Sequence, residues 1–61
     1  MIKLTRLNGT VILVNEIFIE TAEEAPDTVI TMQNGHRYFV QEKLDEIYAK
    51  TLLYEHEKRT D

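Results

Sequence analysis

From Met1 to Val40 the apolar residues alternate with polar ones or run in short blocks closed by turn residues. After Val40 they recur every three or four positions. Alternation marks strands and the longer period marks a helix, so the chain divides into a β part and a helical part. The stretch Thr28 to Val40, TVITMQNGHRYFV, reads as a β-hairpin with Asn34-Gly35 at its tip. Met1 to Leu7 and Thr10 to Val14 form a second hairpin around Asn8-Gly9. Asn-Gly is the strongest short-range hairpin signal, because Gly takes positive φ without a Cβ clash and Asn tolerates it.

If each loop is a two-residue type I′ turn, the register follows. In the later hairpin Gln33 faces His36, Thr31 faces Tyr38, Ile30 faces Phe39 and Val29 faces Val40. In the earlier one Arg6 faces Val11, Thr5 faces Ile12 and Leu4 faces Leu13. The later hairpin then carries apolar pairs on both faces, and in the earlier one the strand Val11-Ile12-Leu13-Val14 is apolar on both faces. Phe39 is read as core, where truncation to alanine would cost about 3–5 kcal/mol. The two hairpins also echo one another. LTRLNGTVILVNE and ITMQNGHRYFVQE align without a gap, as any two Asn-Gly hairpins would in large part.

Asn15-Glu16 interrupts the apolar run, and Ile17 to Thr21, extending toward Glu23, resumes it. Its β-branched and aromatic residues favour a strand. A short helix capped by Asn15 is the rival reading, with Glu16 suited to a first turn. Ala25-Pro26-Asp27 must be a turn, because Pro cannot donate to a ladder. From Glu42 to Lys58, Leu44, Ile47, Tyr48, Thr51, Leu52 and Tyr54 share one broad face of a helix. Acidic residues stand at its start, as the helix dipole prefers. The expected fold is α+β: a small, curved antiparallel meander of about five strands over 1–41, then one amphipathic C-terminal helix over 42–58.

Sixty-one residues make a single domain. A domain of this size buries only about 60% of its unfolded surface and is marginally stable alone. No cysteine is present, so disulfides and thiolate metal sites are excluded. His36 and His56 sit on different elements without a ligand pattern around them. Association is the remaining way to stabilise such a fold, and a homo-oligomer, dimer or tetramer, is expected. One helix can cover only one face of the sheet. The other face must close on itself as a small barrel or meet a second subunit. Candidate interface residues are Ile12, Val14, Phe18, Tyr38, Leu53 and Tyr54. Tyr48 and Phe39 are read as core. Leu53 falls nearly opposite Leu44 on the helical wheel and so points away from the expected packing face.

The net charge of -4 argues against a nucleic-acid binder, whose affinity rests on Lys and Arg at phosphates. A nucleic-acid-binding regulator is the alternative reading. It would need Lys3, Arg6, Arg37, Lys43 and Lys50 to converge on one face. Catalysis has little to work with. Ser is absent, both glycines serve hairpins, and the acidic pairs Glu23-Glu24 and Asp45-Glu46 look solvated. A nucleophile needs a base held by a third group, and none is spaced for it, so no enzyme and no cofactor is expected. No stretch approaches the roughly 20 apolar residues of a membrane helix, and no secretory signal pattern opens the sequence. The expectation is a cytoplasmic protein without membrane insertion.

Lys3-Leu4-Thr5-Arg6-Leu7-Asn8-Gly9, the Asn15 to Glu20 segment, and Pro26-Asp27-Thr28 through Asn34-Gly35 come in an order and spacing that resembles the FlbD/SwrD family of small flagellar and swarming-motility proteins. The resemblance covers residues 1 to 50. It implies a bacterial cytoplasmic protein, peripheral at the flagellar base. Its implied role is to support motor output through protein contacts with flagellar stator or basal-body components. It supplies no catalytic residues. His36-Arg37 stands where family members often carry two basic residues, so the charge there is partly kept.

Overall fold

The computed structural model describes the backbone of residues 1–59 and the side chains of residues 1–53. The described elements follow the expected order: β1 (Ile2–Thr5), β2 (Val11–Val14), a 3-10 turn (Glu16–Phe18), β3 (Ile19–Glu24), β4 (Thr28–Met32), β5 (Arg37–Val40) and α1 (Leu44–Arg59). The α+β class and the strand meander with a C-terminal helix are as the sequence predicts.

The hairpin loops differ from expectation in one decisive respect. Arg6 N–H donates to Thr10 O at 2.8 Å and Gly9 N–H donates to Arg6 O at 2.9 Å. Met32, His36 and Gly35 repeat the same two bonds. Each loop therefore has three residues and a Gly bulge, not two residues. Only Gly9 and Gly35 have positive φ, +93° and +92°. The asparagines keep negative φ because their side chains do another job. Asn8 Oδ1 accepts from Thr10 N–H and Asn34 Oδ1 accepts from His36 N–H, both at 3.0 Å.

The extra loop residue slips both registers by one. Leu4 now faces Ile12, and Thr5 faces Val11. Ile30 faces Tyr38, Val29 faces Phe39, and Thr28 faces Val40. A slip of one residue sends each side chain to the other face relative to its partner strand. The expected Ile30–Phe39 core pair is thus replaced by Ile30–Tyr38, and Phe39 points outward, half exposed at 50%.

The segment after Asn15 satisfies both rival readings in turn. Asn15 Oδ1 accepts from Ile17 N–H and caps the 3-10 turn, after which the chain straightens into β3. A register shift between Ile19 and Thr21 places Glu20 as an extra residue. That bulge lets Ile19 and Ala22, three apart, both pack against the core.

The sheet pairs β1 with β2, and β3 with β4 with β5. The two parts are stitched where β1 ends. Arg6 bridges Val40, Leu7 N–H donates to Phe39 O at 3.3 Å, and Gln41 N–H donates to Thr5 O at 2.7 Å. The order across this joint is β2-β1-β5-β4-β3. Among the described pairings none joins β2 to β3, so the ladder does not close as a barrel. The core is Ile2, Leu4, Val14, Ile30, Val40 and Ile47, with Ile12, Ile19, Ala22, Met32 and Tyr38 packed around it.

The helix starts at Leu44 rather than Glu42, and its packing stripe is narrower than expected. Ile47 is buried, and Leu44 and Thr51 are half buried. Tyr48, expected in the core, is 64% exposed, and Leu52 is exposed as well. Truncating Leu4 or Ile30 to alanine should cost about 2–5 kcal/mol and unfold most of so small a domain. Phe39→Ala should cost under about 1 kcal/mol, as surface changes do. Urea melts of the three variants check this, and a Phe39→Ala melt shifted as far as Leu4→Ala would contradict the register.

Candidate functional site

Two adjacent hollows have no described residue of α1 in their lining. One is lined by Arg6, Ile12, Leu13, Val14, Asn15, Met32 and Tyr38. The other is lined by Phe18, Met32, Gln33, Asn34 and Tyr38. They share Met32 and Tyr38. Arg6 lies over the Tyr38 ring, its guanidinium carbon 5.9 Å from the centroid, a cation–π arrangement that braces the wall between them. Phe18, at the end of the 3-10 turn, is held there by Gln33 N–H donating to its carbonyl at 2.8 Å.

Four of the six residues expected at an interface are thus brought together. Ile12 and Tyr38 are half buried, Phe18 is exposed, and Val14 is taken up by the core. Leu53 is separate, on α1 and 64% exposed. Tyr54 lies outside the residues whose side chains are described. The residues missed are those on the outer face. Leu7, Val11, Leu13 and Phe39 are all large, apolar and about half exposed or more. The pairings Thr5–Val11, Lys3–Leu13 and Val29–Phe39 set the last three along that face. The two-sided apolar character of Val11 to Val14 was the available signal. Only the loop length says which residues it turns outward.

A third opening lies between β3 and α1. It is a groove of about 450 Å³, lined by Ile17, Ile19, Ala22, Leu44, Ile47, Tyr48 and Thr51 among others. Carboxylates hold the elements that frame it. Glu16, on the 3-10 turn and buried, meets the Met1 α-amino group at 2.7 Å. Glu24, at the end of β3, accepts from Leu44 N–H at 2.8 Å and so caps α1 from another element. Its other oxygen is 4.0 Å from Lys43 Nζ. Glu46 Oε1 accepts from Lys43 N–H at 3.2 Å, the return half of a capping box. These bonds satisfy helix donors that would otherwise have no partner.

Glu42 closes the joint between the sheets. Thr5 N–H faces away from β2, and β5 has ended by then, so the Glu42 carboxylate takes the place of a strand carbonyl at 2.8 Å. Burial raises the Glu42 pKa. The hydrogen bonds from Thr5 and from its own backbone, with the nearby Lys50 ammonium, outweigh that and hold it below the ordinary glutamate value.

Among the described residues no group of three or more His, Asp or Glu could hold a metal ion. No described helix is long and apolar enough to cross a membrane. The site offers apolar surface, two hollows and a bracing arginine, which suits contact with another macromolecule.

The family model for flagellar and swarming motility proteins, FlbD, matches residues 1–58. The chain belongs to the FlbD family. No curated protein and no solved structure matches it. The FlbD family is a motility accessory family, not a known enzyme family. Its match spans both hairpins, the 3-10 turn and nearly all of α1. In this FlbD-family fold the Glu42–Thr5 bond makes stability depend on acid. The folded-state pKa is lowered, so the stabilisation is present above the unfolded value of about 4.3 and lost as pH falls through the folded one. Urea midpoints taken from neutral pH down to about pH 3 should fall less steeply for Glu42→Gln than for the parent. Parallel pH profiles would show that the carboxylate contributes nothing to the joint.

Proposed function

We propose that this FlbD-family chain is a non-enzymatic accessory of flagellar motor output that works by protein–protein contact. It acts as a homo-oligomer, in the cytoplasm at the flagellar base, on a stator or basal-body component. Family membership supports the link to motility. The single structural observation that carries the contact reading is that Ile12, Phe18, Met32 and Tyr38 line adjoining hollows. Aromatic residues with an arginine beside them are the usual anchors of protein interfaces.

The charge distribution favours this over a nucleic-acid-binding regulator. Lys43 lies by Glu24, Lys50 by Glu42, and Arg6 is stacked on Tyr38. Of the cations that a basic face would need, Lys3 and Arg37 remain on exposed strand positions with no such neighbour among the described residues.

Phe18→Asp, which alters an exposed side chain, should leave the thermal melt nearly unchanged. It should reduce the swarming radius of a motile bacterium that depends on the protein, and reduce crosslinked capture of stator components. Full swarming with undiminished capture would overturn the assignment of this surface. Salt-sensitive mobility shifts of DNA or RNA at micromolar protein would favour the regulator instead.

A further inference from the structure

The two outer edges of the β2-β1-β5-β4-β3 ladder are unlike. The β3 edge carries Glu20, Glu23 and Glu24, and inserts a bulge. Charges and bulges are the usual guards of an edge strand against pairing with another chain. The β2 edge is Val11-Ile12-Leu13-Val14, with no charge, no proline and no bulge.

Hydrogen-bond parity shows what the β2 edge presents. Arg6 and Thr10 form the bonded pair that closes the hairpin. In an antiparallel ladder bonded pairs alternate. Leu4–Ile12 and Ile2–Val14 are then the next bonded pairs. The N–H and C=O of Val11 and Leu13 therefore point away from β1, toward the free edge. No described hydrogen bond reaches them there. The side chains of the same two residues are 61% and 60% exposed on the outer face.

The hairpin echo supplies a second, independent observation. In the gapless alignment Val11-Ile12-Leu13-Val14 falls on Arg37-Tyr38-Phe39-Val40. The two strands have the same burial pattern, position by position. The β5 edge equivalent to the free β2 edge is occupied at its end: Phe39 C=O, the counterpart of Leu13 C=O, accepts from Leu7 N–H just past β1, and Gln41 N–H, just past β5, donates to Thr5 C=O in the antiparallel sense. The fold thus already uses one edge of this kind to take an antiparallel strand, and leaves its counterpart empty.

We propose that the occupant of the β2 edge is the β2 strand of a second copy, paired antiparallel about a two-fold axis at Ile12. This identifies the contact for the homo-oligomer proposed above and rests on that reading. A two-fold axis perpendicular to the sheet keeps inner faces with inner faces. Residues on the same face must therefore pair, which allows Val11 with Leu13 of the other copy and excludes odd registers. In that register the free N–H and C=O of Val11 and Leu13 meet those of Leu13 and Val11 across the axis, and each exposed side chain gains an apolar neighbour. The β3 edge cannot pair with itself in this way without setting carboxylates against carboxylates.

The absence of native cysteine permits a direct test. At the axis Ile12 would face Ile12 in a non-bonded pair, with Cα atoms about 4.5 Å apart, inside the roughly 4.4–6.8 Å range of disulfides. Ile12→Cys should give a disulfide-linked dimer under mild oxidation, and Glu20→Cys, on the other edge, should not. In sedimentation equilibrium the V11K/L13K double variant should dimerise at least about tenfold more weakly than the parent. Circular dichroism of V11K/L13K checks that it stays folded, and the Ile12→Cys result decides if it does not. A parent that is monomeric throughout the micromolar range overturns both the homo-oligomer reading and this one. A parent dimer that yields no Ile12→Cys crosslink, or that resists V11K/L13K, overturns the edge assignment and leaves the homo-oligomer reading standing.

Discussion

The register of the two hairpins is the constraint on which the rest of the structure depends. It is set by Gly9 and Gly35, each the last residue of a three-residue loop at positive φ. Because side chains alternate, one residue more or less in either loop exchanges the buried and exposed sets. With three, Leu4, Ile30 and Val40 are almost wholly enclosed, and Phe39, Leu13 and Val11 face out. The joint between the sheets depends on the same parity. Only with this register do Thr5 and Leu7 turn their backbone groups from β2 toward the end of β5 and the Glu42 carboxylate.

From that joint the chain can be followed to its surfaces. The end of β5, pinned at Gln41 and Glu42, delivers Leu44 to the Glu24 carboxylate. That places α1 beside β1 and β3, with Ile47 as its core anchor. A helix docked by so narrow a stripe covers only part of the inner face. No described residue of α1 lines the hollow where Phe18, Met32 and Tyr38 meet. The function proposed for a member of a motility family follows from what is left uncovered.

Much of this was legible in the residues. The strand meander, both hairpins, the Pro26 turn and the C-terminal helix follow from period and turn chemistry. So did the conclusion that both hairpin faces are apolar. Loop length was not legible, because Asn-Gly suits a type I′ turn and also a type I turn with a Gly bulge. The choice lies in whether the Asn side chain bonds ahead to the backbone of Thr10 or His36, as it does here. The readings of Phe39 as core and of Ile30 as its partner fell with that one ambiguity. Tyr48 was misplaced for another reason. Helical periodicity marks a broad face, whereas packing against a small curved sheet uses only a stripe of it. The alternatives for Ile17 to Glu23 were both partly right, since a capped 3-10 turn leads directly into the strand. Glu24 and Glu42 were not distinguishable from solvated acids, because their backbone partners are 20 and 37 residues away.

The buried and exposed sets of this fold depend on the register, and proton NMR of the hairpins reads it directly. Non-bonded antiparallel pairs bring their Cα atoms within about 4.5 Å and give strong Hα–Hα contacts. The structure requires those contacts between Val29 and Phe39, Thr31 and Arg37, Thr5 and Val11, and Lys3 and Leu13. Contacts instead between Ile30 and Phe39, Met32 and Arg37, Arg6 and Val11, and Leu4 and Leu13 would mean two-residue loops, and would contradict the outward-facing surface described for this fold.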